Sequence, residues 1–138
     1  MNEFLSISEE ETKRIASQLA EQLNGDEVIL IYGSLASGKT VFVKGLARGL
    51  GIDENLVSSP TFTIMNIYAG KSLLFHLDLY RLEDPGEMDF LGIEDFLGMG
   101  VLAVEWGEKA EKAPWAKNAI RVYLEQISEK ERKIKVMF

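Results

Sequence analysis

Eight consecutive residues, Gly33-Ser34-Leu35-Ala36-Ser37-Gly38-Lys39-Thr40, carry the strongest chemical signal in the chain. Phosphate oxygens need several donors converging on one point, and a glycine-rich turn opening a helix supplies them from backbone N–H groups with no side chains in the way. Lys39 adds a mobile cation for β- and γ-phosphates, and the Thr40 hydroxyl is placed to ligate Mg²⁺. A random chain of this length carries such a match in roughly half a per cent of cases. All eight residues are therefore expected to bind ATP or ADP with Mg²⁺. Guanine recognition usually brings an Asn-Lys-x-Asp segment, which the chain lacks. Asp89 to Gly92 and Asp95 to Gly98 fit a loose Asp-x-x-Gly pattern, but neither follows an apolar strand, and both read as helix-end glycines.

Mg²⁺ on a nucleotide is usually held by the loop hydroxyl and by an acid at the end of a neighbouring strand. Asp78 and Glu105 compete for that place, and Glu105 ends the more hydrophobic run. Alternation puts His76, Asp78 and Tyr80 on one strand face and Leu77 and Leu79 on the other. His76 is the single histidine, which excludes a histidine-rich metal site; a structural hydrogen bond beside Asp78 is favoured for it over proton transfer. Ser58 to Thr63 lies where nucleotide switches place the segment that senses the γ-phosphate, and it reads equally well as an ordinary proline turn.

These groups need a scaffold. Ser8 caps a helix carrying Ile15, Leu19 and Leu23, with Glu11 placed for a capping box. Asn24-Gly25-Asp26 stops it, and Val28 to Tyr32 reads as a strand buried on both faces. The glycine-rich loop follows, then a helix over Val41 to Leu50 closed by Gly51. Thr63 to Tyr68 and Leu73 to Leu79 read as an antiparallel hairpin, and Asp84-Pro85-Gly86-Glu87 opens a short helix that Gly92 ends. Ile93 to Leu97 reads as a further helical turn. Val101 to Val104 is a second buried strand delivering Glu105, and Ile120 to Leu124 with Ile134 to Phe138 forms a terminal hairpin with one wet face. The expected fold is a single α/β domain over residues 1–138, of the P-loop type, with a mixed sheet, flanking helices and a C-terminal β-hairpin.

With 138 residues, 46% of them apolar, the chain can bury a core without staples. It has no cysteine, which excludes disulfides and a cysteine nucleophile. Neither a leader-like start nor an apolar run of membrane-spanning length is visible, so a cytoplasmic location is expected. A net charge of −7 disfavours autonomous nucleic-acid binding, so an RNA would be served through a partner.

The sequence resembles the TsaE family, also called YjeE, the ATPase component of bacterial tRNA threonylcarbamoyladenosine synthesis. The resemblance rests on Gly33 to Thr40, on Ser59-Pro60-Thr61-Phe62-Thr63, on His76-Leu77-Asp78-Leu79-Tyr80-Arg81-Leu82 followed by Asp84-Pro85, and on Val104-Glu105-Trp106. The family loop usually reads Gly-Asp-Leu-Gly-Ala-Gly-Lys-Thr; this chain departs at Ser34, Ala36 and Ser37, and has Gly107 where proline often follows the tryptophan. Ser34 removes a carboxylate that bears on hydrolysis, and Ala36 narrows the conformations open to the loop. The resemblance implies that Lys39 and Thr40 serve phosphate and Mg²⁺, and that Glu105 joins the metal site. It further implies that Asp78 and Thr61 act in hydrolysis and that Trp106 lies close to the nucleotide. It implies work with two partners, TsaB and TsaD, with tRNA reached only through the complex.

Two rival readings share the loop. A small-molecule kinase would need an acceptor pocket and an arginine-bearing lid, whereas Arg81, Arg121 and Arg132 are scattered. A nucleotide-dependent interaction module with negligible turnover is brought closer by Ser34.

Overall fold

The structure, a computed structural model, describes residues 2–58 and 65–138. Seven strands, β1 (Asn2–Ser6), β2 (Val28–Tyr32), β3 (Met65–Ala69), β4 (Leu73–Asp78), β5 (Val101–Glu105), β6 (Ile120–Gln126) and β7 (Arg132–Met137), form one sheet in the order β1-β7-β6-β2-β5-β4-β3. The central strands β6, β2, β5 and β4 run parallel, while β3, β7 and β1 add antiparallel margins. Among the described residues, two helices, α1 (Glu9–Glu21) and α2 (Lys39–Gly49), join these strands, with short 3-10 turns between the elements.

The apolar runs sit where a doubly covered sheet needs them: every residue of β5 is buried, as are the three middle residues of β2. Side-chain alternation divides the core into two clusters. Ile29, Ile31, Val101 and Ala103 pack under Ile15, Leu19, Phe42, Val43 and Leu46 of the two helices. Leu30, Leu102, Val104, Leu77 and Leu79 face the opposite way, against Leu82, Ile93, Ala110 and Ala116. The flanking helices expected on the sheet therefore cover one face. The other is covered by 3-10 turns at Pro85–Phe90, Ile93–Asp95, Gly107–Lys109 and Pro114–Ala116, because Gly, Pro and other turn signals recur too often between residues 82 and 119 for an α-helix to propagate.

Local chemistry fixes the element ends. Ser8 Oγ accepts from the Glu11 N–H at 3.1 Å, as the capping signal predicts. Between α1 and β2 the turn is organised by Glu27, whose carboxylate accepts from the N–H groups of Asn24, Gly25 and Asp26 at 2.7, 2.9 and 3.1 Å. Gly45 lets α2 lie directly on α1: a Cβ there would come within 2.5 Å of the Lys13 carbonyl oxygen. The expected hairpins are present, the first as Met65–Ala69 with Leu73–Asp78. The expected Thr63 and Ile64 part of its first strand lies outside the described residues. The loop helix starts at Lys39 rather than Val41, and the short helix after Asp84 is a 3-10 turn. Strand β1, for which the sequence reading made no prediction, pairs with β7 from Asn2↔Val136 to Ser6↔Arg132. Among the described residues, no helix is long and apolar enough to cross a membrane.

Candidate functional site

The carboxyl ends of β2, β4 and β5 open onto one edge of the sheet, the place where parallel α/β sheets bind ligands. From β2 the chain enters the loop Gly33–Gly38 and then α2. Gly38 holds φ +99°, which an L side chain rarely adopts, and Ala36 lies at φ +66° without the glycine that makes this region inexpensive. An alanine in left-handed geometry costs about 1–2 kcal/mol, so the surroundings must hold it there. The first-turn N–H groups of α2 have no intrahelical acceptors and present the positive end of the helix dipole at the loop.

Lys39 is buried, with 5% of its surface exposed. Its Nζ donates to the carbonyls of Gly33 and Ser34 at 2.8 and 2.7 Å and lies 4.0 Å from the ring centroid of Trp106. Burial pushes its pKa down, against the opposing fields of Glu105, Glu108 and Asp78. Trp106 reaches it because its own backbone turns left-handed at φ 62° directly after β5, and the ring of Tyr80 packs on it at 5.2 Å.

Beside the lysine, Thr40 Oγ1 donates to both oxygens of Glu105 at 3.0 Å. Oε2 of the same carboxylate meets His76 Nε2 at 2.5 Å. His76 and Glu105 are both buried, and His76 Nδ1 has no partner among the described residues. The histidine, expected to make a structural hydrogen bond beside Asp78, makes it with Glu105 on the neighbouring strand. Parallel pairing sets His76 opposite Ala103 and Asp78 opposite Glu105, so the two acids end adjacent strands side by side. Asp78 Oδ1 is steadied by the Tyr80 N–H at 2.9 Å.

Leu35, Ala36, Gly38, Lys39, Thr40, Val41, Asp78, Tyr80, Glu105 and Trp106 line a single cleft of about 250 Å³. The structure thereby brings together the loop, both acids and the tryptophan singled out in the sequence; Thr61 lies outside the described residues. Thr40 and Glu105 offer the hard oxygen ligands that Mg²⁺ takes, next to a cation suited to phosphate, so the donor set fits a magnesium nucleotide. Among the described residues no group of three or more His, Cys, Asp and Glu is arranged to hold an ion.

Sequence reasoning missed Arg132 of β7, whose Nε and Nη2 donate to the carbonyls of Ser37 and Ala36 at 3.1 and 3.3 Å. A signal was available: Arg132 shares alternation parity with buried Ile134 and Val136, so a charge was being sent to the core side of a strand.

A mixed α/β domain with a central parallel sheet and a glycine-rich strand-to-helix loop at its carboxyl edge is the class defined by these observations. The profile of the threonylcarbamoyl adenosine biosynthesis protein TsaE matches residues 6–134, and the chain belongs to that family. It is 39% identical over 138 residues to the tRNA threonylcarbamoyladenosine biosynthesis protein TsaE of Aquifex aeolicus, covering 99% of this chain and 96% of that one. The protein of the same name from Synechocystis is 46% identical over 109 residues, covering 75% and 68% of the two chains. The crystal structure of Bacillus subtilis YdiB superposes with a TM-score of 0.78 at 32% identity, covering 96% of this chain and 82% of that one.

Proposed function

We propose that this chain binds ATP with Mg²⁺ at the Gly33–Thr40 loop and hydrolyses it in the service of tRNA threonylcarbamoyladenosine synthesis, together with TsaB and TsaD. One observation carries the reading: Glu105 is brought across 65 residues to the hydroxyl of Thr40, beside the ammonium of Lys39. In this reading the loop N–H groups and Lys39 hold the β- and γ-phosphates, and Thr40 with Glu105 holds the ion. Mg²⁺, when bound, neutralises charge developing on the phosphoryl oxygens. The Asp78 carboxylate orients the attacking water and takes its proton as the γ-phosphoryl bond breaks, giving ADP and inorganic phosphate. Thr61 is assigned to the same step from the family resemblance. Trp106 packs against the Lys39 ammonium within the same cleft and limits water around it.

The nucleoside end leaves over the loop towards a second cleft of about 630 Å³, which shares Ala36, Gly38 and Val41 with the phosphate cleft and is closed by Ser8, Glu9, Thr12, Glu129, Lys130 and Arg132. With a net charge of −7, the chain reaches tRNA through its partners rather than by direct contact.

The test counts modified tRNA per complex over time with TsaB and TsaD, adding wild-type chain, Lys39→Ala or none, and follows phosphate release in parallel. Repeated rounds with wild type alone are expected. Equal yields in all three would overturn the reading. Transfer of phosphate to a metabolite would favour the kinase, and nucleotide-dependent assembly without phosphate release the interaction module.

A further inference from the structure

The geometry points to Arg132 as a positioning residue for the phosphate loop, one that holds the left-handed turn at Ala36 in the form that binds nucleotide. This inference rests on the nucleotide reading of the loop.

The guanidinium is used on both sides. Nη1 donates to the carbonyls of Ser128, Glu129 and Glu131 at 3.0, 3.1 and 3.0 Å, anchoring the group in the turn between β6 and β7. Nε and Nη2 then reach Ser37 and Ala36, 95 and 96 residues away in sequence. A planar fork of this kind fixes the direction of two acceptors at once, which an ammonium cannot do.

The two acceptors are consecutive carbonyls of the loop. In a trans peptide the C=O and the following N–H point in opposite directions. Holding the carbonyls of Ala36 and Ser37 towards β7 therefore turns the N–H groups of Ser37 and Gly38 the other way. The Ser37 N–H closes the loop on the Ser34 carbonyl at 3.1 Å, and Gly38 caps α2, its carbonyl accepting from the Phe42 N–H at 2.9 Å. The clamp thus sets the peptide planes that a phosphate would meet.

Ala36 explains why a clamp is needed. A glycine there would adopt φ +66° unaided, whereas alanine keeps it only under constraint. Arg132 supplies that constraint from a strand secured on its other edge by β1, whose Ser6 pairs with it in register. Ser6 Oγ is itself 2.7 Å from Thr12 Oγ1 in α1.

The experiment is a double-mutant cycle on Mg-ADP binding by titration calorimetry, using wild type, Arg132→Gln, Arg132→Lys, Ala36→Gly and Ala36→Gly with Arg132→Gln, with thermal unfolding confirming that each is folded. Arg132→Gln is expected to weaken binding about tenfold in the wild-type background and less than about threefold in the Ala36→Gly background. Arg132→Lys, which keeps the charge and loses the fork, is expected to lose nearly as much as Arg132→Gln. Equal losses in both backgrounds, full rescue by lysine, or no loss would each overturn the proposal. Amide hydrogen exchange of the free proteins is read alongside. The Ser37 amide should exchange about ten times faster in Arg132→Gln while β2 amides are unchanged, and an unchanged Ser37 amide overturns the clamp. Should wild type fail to bind Mg-ADP, the nucleotide reading falls, and the exchange measurement still decides whether Arg132 holds the loop.

Discussion

Thr40 and Glu105, 65 residues apart in sequence, meet with the threonine hydroxyl 3.0 Å from both oxygens of the carboxylate. The contact joins the first turn of α2 to the end of β5, and it separates the roles expected of the two strand-end acids. Glu105→Ala should raise the Mg²⁺ concentration needed for nucleotide binding by about tenfold or more. Asp78→Ala should instead slow turnover at saturating Mg²⁺. Measuring nucleotide affinity against Mg²⁺ and the hydrolysis rate for both variants checks the assignment; opposite outcomes would exchange the two roles.

His76 gives the same carboxylate its second partner, and the consequence is one of stability as well as placement. Removing the imidazole leaves a cavity between sheet and helices and a buried acid short of a donor. His76→Ala should lower unfolding free energy by about 2–4 kcal/mol. His76→Gln keeps an amide donor near the position of Nε2 and should recover more than half of that loss. Urea unfolding of the three proteins measures it, and equal stability of the two variants would show that the hydrogen bond contributes nothing beyond packing.

The sequence made most of this scaffold readable where one local signal dominates. Unbroken apolar runs marked β2 and β5, alternation marked the terminal hairpin, and Gly33 to Thr40 announced its own context between strand and helix. What stayed hidden depends on sheet order. His76 and Glu105 become partners only because β4 lies next to β5, and no spacing along the chain encodes that neighbour. Strand β1 escaped notice because its first four residues are exposed, so Asn2 to Leu5 show no burial pattern, and their strand exists through pairing with β7. The segment facing the second core cluster read as a short helix from Asp84 and a helical turn from Ile93 rather than as a layer of 3-10 turns, since it buries single residues such as Ile93 and Ala116 and not a periodic stripe.

Glu27 supplies a pH dependence. Burial by itself would raise its carboxyl, but the N–H donors of Asn24, Gly25 and Asp26 outweigh that and hold it below the ordinary value of 4.5. The unfolded chain binds the proton more tightly. Its stabilisation is therefore full above the ordinary carboxylate value and is lost as pH falls through the lowered folded value. Glu27→Gln should cost about 0.5–1 kcal/mol at pH 7, a modest figure because the turn is partly exposed to solvent. The gap between variant and wild type should close on acidification. Urea midpoints followed from pH 7 down to about pH 3 test this, and a gap that stays constant would remove the carboxylate charge as its cause.

Lys39 lies against Trp106 at 4.0 Å while its ammonium donates to the loop's own carbonyls at Gly33 and Ser34. A phosphate entering the loop offers a charged acceptor that competes with both carbonyls and with the indole face, so nucleotide binding should draw the ammonium off the ring. Trp106 emission is then expected to change on adding Mg-ADP. The chain has two tryptophans, and Trp115 lines a different cleft, so Trp115→Phe should keep the response and Trp106→Phe should abolish it. Lys39→Ala should weaken Mg-ADP binding by about 1.5–3 kcal/mol, roughly ten- to 150-fold, without unfolding the protein. Its remaining fluorescence response should be small even at saturating nucleotide, because the cation that reports on the phosphate is gone. A response carried by Trp115, or unchanged calorimetric affinity in folded Lys39→Ala, would mean that phosphate binds elsewhere and that the Gly33 to Thr40 loop is not the nucleotide site.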